Sequence, residues 1–316
     1  MTRTVTVGLD GSPESRAAAE WAAREAELLE LPLKLVQVWE PVPAPMAQAP
    51  LLGPETHQHW TERSEMGVPP AEGWGSVPRE AAEGVRLRHP GLDVTTEQLS
   101  GRPADVLVGA AKDAELLVLG SRALGGIGGF MVGSVGLSVV AHAERPVVLV
   151  RAGEQVADEH ETDPATGVPS AATAFRPVVL GLDIESPDDD LIAFAAAAAA
   201  RRGTSLRVVH GWNPPYYYDA YGVAADLGLR QELARQESTA LSEVLRPWRE
   251  KFPAVEITEE FHYGTPGNHL VDASGEACLV VVGRRTRRSS LGSHIGSVTH
   301  TVLHHATAPV AVVPHG

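Results

Sequence analysis

The sequence predicts an α/β protein of two tandem domains, each with a five-stranded parallel β-sheet flanked by helices. The first observation is an internal repeat, in which VTVGLDGSPES (5–15) resembles VVLGLDIESPDD (178–189), and LLVLGSR (116–122) resembles LVVVGRR (279–285). The second is the alternation of β-rich and helical segments in both copies, typical of βαβ units with parallel strands. The third is that LLVLG and LVVVG are unbroken apolar runs, as expected of strands buried on both faces.

Both copies predict the same order of elements. The first has predicted strands at 3–9, 33–39, 93–98, 115–119 and 146–150, and predicted helices beginning at Ser12-Pro13, at about 77–89, at 103–112 and from Ser134. The second has predicted strands at 177–182, 205–211, 255–261, 278–282 and 309–313, and predicted helices at about 187–202, 223–250 and 266–275 and from Ser297. Ser186 is expected to cap the first helix of this copy, with Pro187 at its first position and Gly203 ending it.

The repeat also predicts the domain boundaries. Gly120 and Gly133 stand thirteen positions apart, as do Gly283 and Gly296, so the segment after strand four keeps its length in both copies. Residues 153–175 are polar and without periodicity, which is typical of a linker. We therefore expect domains at 1–152 and 176–316, joined by a linker at 153–175.

Composition and charge exclude several classes of function. The formal net charge of −14 at pH 7 disfavours binding to nucleic acid or to an anionic membrane. Cys278 is the one cysteine, which excludes a disulfide framework and a cysteine-based zinc site. The N-terminus starts with strand-like alternation and the longest apolar stretch, 191–200, is too short to span a bilayer. A cytoplasmic location is expected.

A glycine-rich segment, GSRALGGIGGFMVGS (120–134), connects strand four to the next helix. Glycines allow backbone N–H groups to point together at an anion, and the N-terminus of a helix adds partial positive charge. The segment therefore predicts a phosphate site, with a flexible surface loop as the alternative. A P-loop and a G-x-G-x-x-G fingerprint after strand one are both absent. His300 and His304 stand one helical turn apart, but a metal site there lacks further ligands nearby.

These residues resemble the universal stress proteins in their tandem two-domain form. ATP-binding members carry an acidic residue after strand one and the motif G-x2-G-x9-G-[ST] after strand four. The first copy reads Gly120-x2-Ala123-x9-Gly133-Ser134, and the second reads Gly283-x2-Thr286-x9-Gly296-Ser297. The resemblance implies two Rossmann-like domains of the adenine nucleotide alpha hydrolase type.

The resemblance also implies the residues of an ATP site in each domain. Asp10 and Asp183 are expected to hold the ribose hydroxyls, although an aspartate here can also serve only its own turn. The implied residues are Gly8, Leu9, Asp10, Val38, Gly120, Arg122, Gly133, Ser134 and Val135 in the first domain, and Asp183, Gly211, Gly283, Arg285, Gly296, Ser297 and Val298 in the second. Backbone at Val38 and Gly211 is expected to meet adenine. Mg²⁺ is expected to bind through the ATP phosphates.

Both copies depart from the motif at its second glycine. Ala123 is a small change, whereas Thr286 is expected to fit poorly because a β-branched residue is unfavourable at positive φ. Four arginines, at positions 284, 285, 287 and 288, surround Thr286. They are expected either to neutralise phosphate charge or to form a solvated loop.

The function that the resemblance implies is a regulatory, ATP-binding stress-response protein without robust catalysis. A slow ATPase or phosphotransferase that uses the same pocket is one alternative, and a nucleotide-free dimerisation scaffold is another. A general base cannot be nominated, which disfavours an enzyme. The fifth strands, RPVVLV (145–150) and APVAVV (308–313), are expected to pair within the chain as a pseudo-dimer. Homodimerisation is a further expectation.

Overall fold

The computed structural model describes residues 3–40, 76–123, 130–212, 227–286 and 295–316. The chain divides into two compact units, the first containing Met1–Arg122 and Gly133–Gly153 and the second containing Ala123–Val132 and Glu154–Gly316. Each unit is an α/β fold with a parallel sheet, which confirms the predicted fold class.

The first unit alternates strands and helices in the predicted order. Its elements are β1 (Thr4–Leu9), α1 (Pro13–Leu29), β2 (Leu33–Trp39), α2 (Ser76–Arg88), β3 (Val94–Ser100), α3 (Pro103–Ala111), β4 (Ala114–Ala123), α4 (Ser134–His142) and β6 (Val147–Arg151). The short β5 (Phe130–Met131) lies between β4 and α4 in the chain and is grouped with the second unit. The sheet order is β3-β2-β1-β4-β6, with the short β5 beside β4. The five strands of this path are parallel to their neighbours, and Val5 pairs with Leu33 on one side of β1.

The second unit repeats this arrangement. Its elements are β7 (Val178–Gly181), α5 (Asp189–Arg202), β8 (Leu206–Trp212), α6 (Leu227–Lys251), β9 (Ile257–Tyr263), α7 (Pro266–Ala273), β10 (Leu279–Arg285), α8 (Ser297–His305) and β11 (Val310–His315). The sheet order is β9-β8-β7-β10-β11, again with parallel neighbours. In each unit the strand order reverses beside the first strand, where ligands of open α/β sheets bind.

Local sequence explains how the first helix of each unit begins. Ser12 caps α1 because its side chain accepts a hydrogen bond from the N–H of Ser15, and Pro13 occupies the first turn. In the second unit the predicted cap at Ser186 is wrong. Asp188 is the N-cap of α5, accepting hydrogen bonds from the N–H groups of Asp190 (3.0 Å) and Leu191 (3.2 Å).

The helices bury small residues against the sheets. In α5 the buried positions include Ala195, Ala196 and Ala199, whose short side chains allow the helix to lie close to the strands. Gly203 ends α5 at φ 61°, ψ 34°, the left-handed conformation that favours glycine and that the sequence predicts there. The core is therefore built from alanine on the helices and from valine and leucine on the strands.

The segment 153–175, predicted as a linker, has hydrogen-bonded structure of its own. A 3₁₀ turn covers Val156–Glu159, and isolated β-bridges join His160 to Phe175 and Thr162 to Pro169. The rings of His160 and Phe175 lie 4.2 Å apart, and His160 is buried. This segment is thus folded rather than extended.

None of the helices in the described part of the chain combines the length and apolar character that crossing a bilayer requires.

Candidate functional site

A cavity of about 280 Å³ lies at the carboxyl ends of the strands in the first unit. It is bounded by the ends of β1, β2 and β4 and by the first turns of α1, α3 and α4. Its lining residues are Gly8, Leu9, Asp10, Ser12, Glu14, Ser15, Val36, Val38, Pro103, Leu107, Leu119, Gly120, Gly133, Ser134, Val135 and Gly136. Eight of the nine residues predicted for the first site are among them. The side chain of the ninth, Arg122, lies outside the described part of the structure.

Asp10 follows β1 and has an oriented carboxylate. Its Oδ1 accepts hydrogen bonds from the backbone N–H of Ser12 (3.0 Å) and from the Ser12 hydroxyl. The Ser12 hydroxyl oxygen in turn accepts from the N–H of Ser15. This chain of bonds ties Asp10 to the first turn of α1 while the side chain stays exposed at the cavity.

On the other side of the cavity, α4 begins with Gly133 as its N-cap. Gly133 has φ −62° and ψ 158°, and no side chain caps the helix. The first N–H groups of a helix have no partner within the helix itself. An exposed Ser134 adds a hydroxyl at the same point. The first turn of α4 therefore presents hydrogen-bond donors and partial positive charge to the cavity.

The second unit has a larger cavity, of about 660 Å³, at the corresponding place. Its lining residues are Gly181, Leu182, Asp183, Ser186, Leu191, Val209, His210, Gly211, Pro266, Leu270, Val282, Gly283, Arg285, Gly296, Ser297, Val298, Thr299 and His315. All seven residues predicted for the second site are among them. The structure therefore brings together residues separated by more than one hundred positions in the sequence.

Asp183 and Arg285 form an ion pair at this cavity. The Arg285 Nη2 donates to Asp183 Oδ2 at 2.8 Å, and the two side chains are 44% and 56% exposed. Asp183 Oδ1 accepts a second hydrogen bond, from the N–H of Glu185 at 3.1 Å. The carboxylate predicted to hold ribose is thus bonded to the arginine predicted to reach phosphate.

Gly296 and Gly133 occupy the N-cap positions of their helices with nearly the same backbone conformation. Gly296 has φ −59° and ψ 153° and, like Gly133, is followed by a helix without a side-chain cap. A β carbon placed on Gly296 would meet nothing within 4 Å. Neither its conformation nor its neighbours in the described structure therefore require glycine here.

The expectation that Thr286 fits poorly is wrong. Glu30 is the one non-glycine residue with positive φ in the described chain, so Thr286 avoids the left-handed region. Its N–H and its hydroxyl both donate to the carbonyl oxygen of His315, at 2.7 Å and 2.8 Å. Threonine at this position is bonded to the end of β11 without backbone strain. Ala123, which stands at the same motif position in the first copy, is the last residue of strand β4.

The structure describes two of the four arginines that surround Thr286 in the sequence. Arg285 lines the cavity, whereas its neighbour Arg284 is 4% exposed. Burial lowers the pKa of Arg284. Arg287 and Arg288 lie outside the described residues. One arginine is therefore established at the cavity wall.

Two histidines that were not among the predicted site residues line the second cavity. His210 in β8 is buried, and its Nδ1 donates to the carbonyl oxygen of Leu182 at 2.9 Å. Its Nε2 lies 3.7 Å from Glu237 Oε2. The signal available in the sequence was a polar residue, matched by Gln37 in the first copy, within an otherwise apolar strand.

His315 lies at the end of β11, where its side chain is 9% exposed. Its Nδ1 is 3.6 Å from Asp188 Oδ2. Burial lowers the pKa of His315, the carboxylate of Asp188 opposes this shift, and the positive charges of Arg285 and Arg284 reinforce it. A neutral ring at the cavity wall is the result at neutral pH.

The described residues contain no group of three or more histidine, cysteine, aspartate or glutamate side chains that could hold a metal ion. The rings of His300 and His304 lie 4.3 Å apart on α8.

Comparison with known proteins agrees with the repeated fold. The family model described as the universal stress protein family matches residues 1–151 and again residues 174–314. The chain belongs to the universal stress protein family. A universal stress protein of Mycobacterium tuberculosis strain H37Rv is 33% identical over 308 residues, covering 98% of this chain and 95% of that protein. One from Mycolicibacterium smegmatis is 30% identical over 316 residues, covering 98% and 96%.

Solved structures support the fold of this universal stress protein. A universal stress protein from Archaeoglobus fulgidus superposes with a TM-score of 0.63 at 16% identity, covering 99% of this chain and 98% of that one. A universal stress protein from Pseudomonas aeruginosa gives a TM-score of 0.57 at 14% identity, covering 99% and 94%. At this identity the likeness concerns the fold alone.

Proposed function

We propose that this universal stress protein binds ATP in both cavities and that nucleotide occupancy regulates its conformation or its choice of partner. The observation that carries the proposal is that each cavity has an aspartate at the end of its first strand and an uncapped helix N-terminus beside the fourth. ATP needs the same two features, because its ribose hydroxyls donate hydrogen bonds and its phosphates accept them.

The phosphates are assigned to the first turns of α4 and α8. Backbone N–H groups without partners and the helix dipole favour negative charge at such a terminus. Ser134 and Ser297 supply hydroxyls there, and Arg285 supplies a positive charge in the second cavity. Mg²⁺ is expected to reach the cavities on the phosphates, since it is usually held by substrate phosphates and water rather than by a protein cage.

The adenosine part is assigned to the ends of the first two strands. Leu9, Val36 and Val38 line the first cavity, and Leu182, Val209 and Gly211 line the second, so each offers an apolar wall beside its aspartate. Ligand pockets typically measure about 300–1,000 Å³. The first cavity lies just below this range and the second lies within it, so both are close to the size of a ligand site.

Binding is proposed rather than turnover because Asp10 and Asp183, the aspartates at the two cavities, are assigned to the ribose hydroxyls. A carboxylate that activates water must instead face the terminal phosphate. A cytoplasmic location is part of this proposal.

The test begins with purified protein, which is denatured so that released nucleotide can be identified by mass. Calorimetric titration with Mg-ATP then measures affinity and stoichiometry in protein freed of nucleotide. The informative variants are Gly133→Asp and Gly296→Asp, alone and together. Aspartate is a favourable N-cap, so these changes stabilise the helices while repelling phosphate.

We expect each single variant to lose one binding site and the double variant to lose both, with thermal stability equal to that of the parent or slightly higher. Chromatography of ATP after prolonged incubation separates binding from hydrolysis, and no product above the buffer control is expected. Unchanged ATP binding in the double variant would disprove the placement of the phosphates. Absence of any ATP binding in the parent protein would overturn the proposed function in favour of a nucleotide-free scaffold.

A further inference from the structure

We propose that the second cavity binds its ligand by an arginine exchange, in which Arg285 leaves Asp183 for the phosphates and thereby frees Asp183 for the ribose. This inference rests on the proposed function and adds to it a preference of the second cavity for ligands that carry phosphate. The cavity would select adenine nucleotides with phosphates over the nucleoside, because the phosphate recruits the arginine that blocks the ribose acceptor.

The starting state is the ion pair between these two residues. Arg285 Nη2 donates to Asp183 Oδ2 at 2.8 Å, while Asp183 Oδ1 accepts from the N–H of Glu185. Both carboxylate oxygens are therefore already bonded. Each oxygen can accept more than one hydrogen bond, but a ribose hydroxyl at Oδ2 would share that oxygen with a charge-assisted hydrogen bond, which is about twice as strong as a neutral one.

The pair is able to exchange because both side chains are about half exposed. Exposed ion pairs contribute little to stability, since water solvates both charges when the pair opens. Arg284, the adjacent residue, is buried and cannot make the same movement without exposing its surroundings. Arg285 is thus the mobile charge among the described arginines of this segment.

The destination of Arg285 lies in the same cavity. Gly296 and Ser297, at the start of α8, line the cavity that Arg285 also lines, and no side chain caps this helix. A guanidinium binds phosphate through two parallel hydrogen bonds and carries its charge at every physiological pH. A triphosphate at this helix terminus therefore offers Arg285 more negative charge than the single carboxylate of Asp183.

The exchange predicts that removal of Arg285 has opposite effects on two ligands. Adenosine should bind more tightly, because Asp183 loses its competitor. ATP should bind more weakly, because the phosphates lose their cation. An arginine that only binds phosphate would leave adenosine unchanged, and one that only supports the fold would weaken both ligands.

The experiment titrates adenosine, AMP and Mg-ATP into the full-length chain by calorimetry. All proteins carry Gly133→Asp so that the second cavity dominates, and the series is repeated without that change. The variants are Arg285→Ala, Arg285→Lys and Asp183→Asn. Arg246→Ala is the control, because it removes an exposed arginine paired with Glu243 on α6. Thermal melts verify that every variant is folded.

In Arg285→Ala we expect adenosine to bind about threefold tighter, the size of one exposed ion pair. ATP should bind about tenfold or more weaker, the size of one hydrogen bond to a charged group. Arg285→Lys should show the same trends to a smaller extent. Asp183→Asn keeps Arg285 available, so it should retain more ATP affinity than Arg285→Ala. The control should match the parent for all three ligands.

If Arg285→Ala weakens both ligands equally, or leaves adenosine unchanged, the exchange is wrong while the proposed function stands. If the parent protein binds neither ATP nor adenosine, the proposed function and the exchange both fall. If Arg285→Ala fails to fold, Asp183→Asn is compared with the parent instead. A loss of ATP affinity as large as the loss of adenosine affinity in Asp183→Asn would overturn the exchange.

Discussion

Gly120 lies directly against the backbone of Glu14. A β carbon on Gly120 would stand 2.6 Å from the carbonyl carbon of Glu14 and 2.7 Å from the amide nitrogen of Ser15. Strand β4 therefore approaches the first turn of α1 more closely than any side chain allows. The first glycine of the motif is required by this packing, and Gly120, Glu14 and Ser15 all line the first cavity.

Gly120→Ala should therefore destabilise the protein. The added methyl meets backbone rather than a flexible side chain, so we expect a loss of about 1–3 kcal/mol in the free energy of unfolding, as for an overpacked core. Urea denaturation followed by circular dichroism measures it. Gly109→Ala is the matched control, since a β carbon there meets nothing within 4 Å in helix α3. The control should stabilise by up to about 1 kcal/mol, and equal effects in the two variants would contradict the packing argument.

Thr286→Gly, which restores the second glycine of the motif, should not improve the second site. The change removes the hydroxyl that donates to the carbonyl oxygen of His315 and adds backbone freedom to the unfolded chain. We expect a loss of about 1–2 kcal/mol in the free energy of unfolding. Thr286→Ser keeps the hydroxyl and should lose less than half as much. A more stable glycine variant would show that threonine is strained here.

His315 should make stability depend on pH in the acid range. Burial lowers its pKa in the folded protein below the ordinary value of 6.5, so the unfolded chain takes up the proton first as the pH falls. The contribution of His315 is complete above about pH 6.5 and decreases below it. Chemical denaturation between pH 8 and pH 5 should show this decrease, and His315→Gln should flatten it. A slope in His315→Gln equal to that of the parent would contradict this assignment.

The fold could be predicted because its signals are local and repeated. Apolar runs such as LLVLG and LVVVG identify buried strands, and most strand bounds differ from the prediction by two residues or fewer. The residues predicted for the sites line one cavity in each unit because parallel strands end at the same edge of a sheet. Their roles toward ATP and the pairing of the fifth strands stay predictions.

The missed features depend on contacts between distant parts of the chain. Arg285 reaches Asp183 across 102 positions, and Thr286 bonds the backbone of His315 across 29. A motif pattern describes neither contact, so it predicted a strained Thr286 and gave no reason to select His315. His210 was missed because a single polar residue in an apolar strand is indistinguishable from a core histidine.

The start of α5 allows a direct test of the N-cap, because the sequence pattern predicted Ser186 and the structure has Asp188. Ser186 and Pro187 match the expected helix start, yet Asp188 Oδ1 accepts the hydrogen bonds from the first turn. Asp188→Ala should cost about 1 kcal/mol in the free energy of unfolding because two N–H groups lose their acceptor. Ser186→Ala should stay within about 0.5 kcal/mol of the parent. Denaturation is measured at pH 8, where His315 is neutral. The 3.6 Å contact between Asp188 and His315 then adds no ion pair to the effect of losing the cap. Asp188→Asn preserves a capping oxygen and should retain most of the stability, whereas a larger loss in Ser186→Ala than in Asp188→Ala would return the helix start to Ser186.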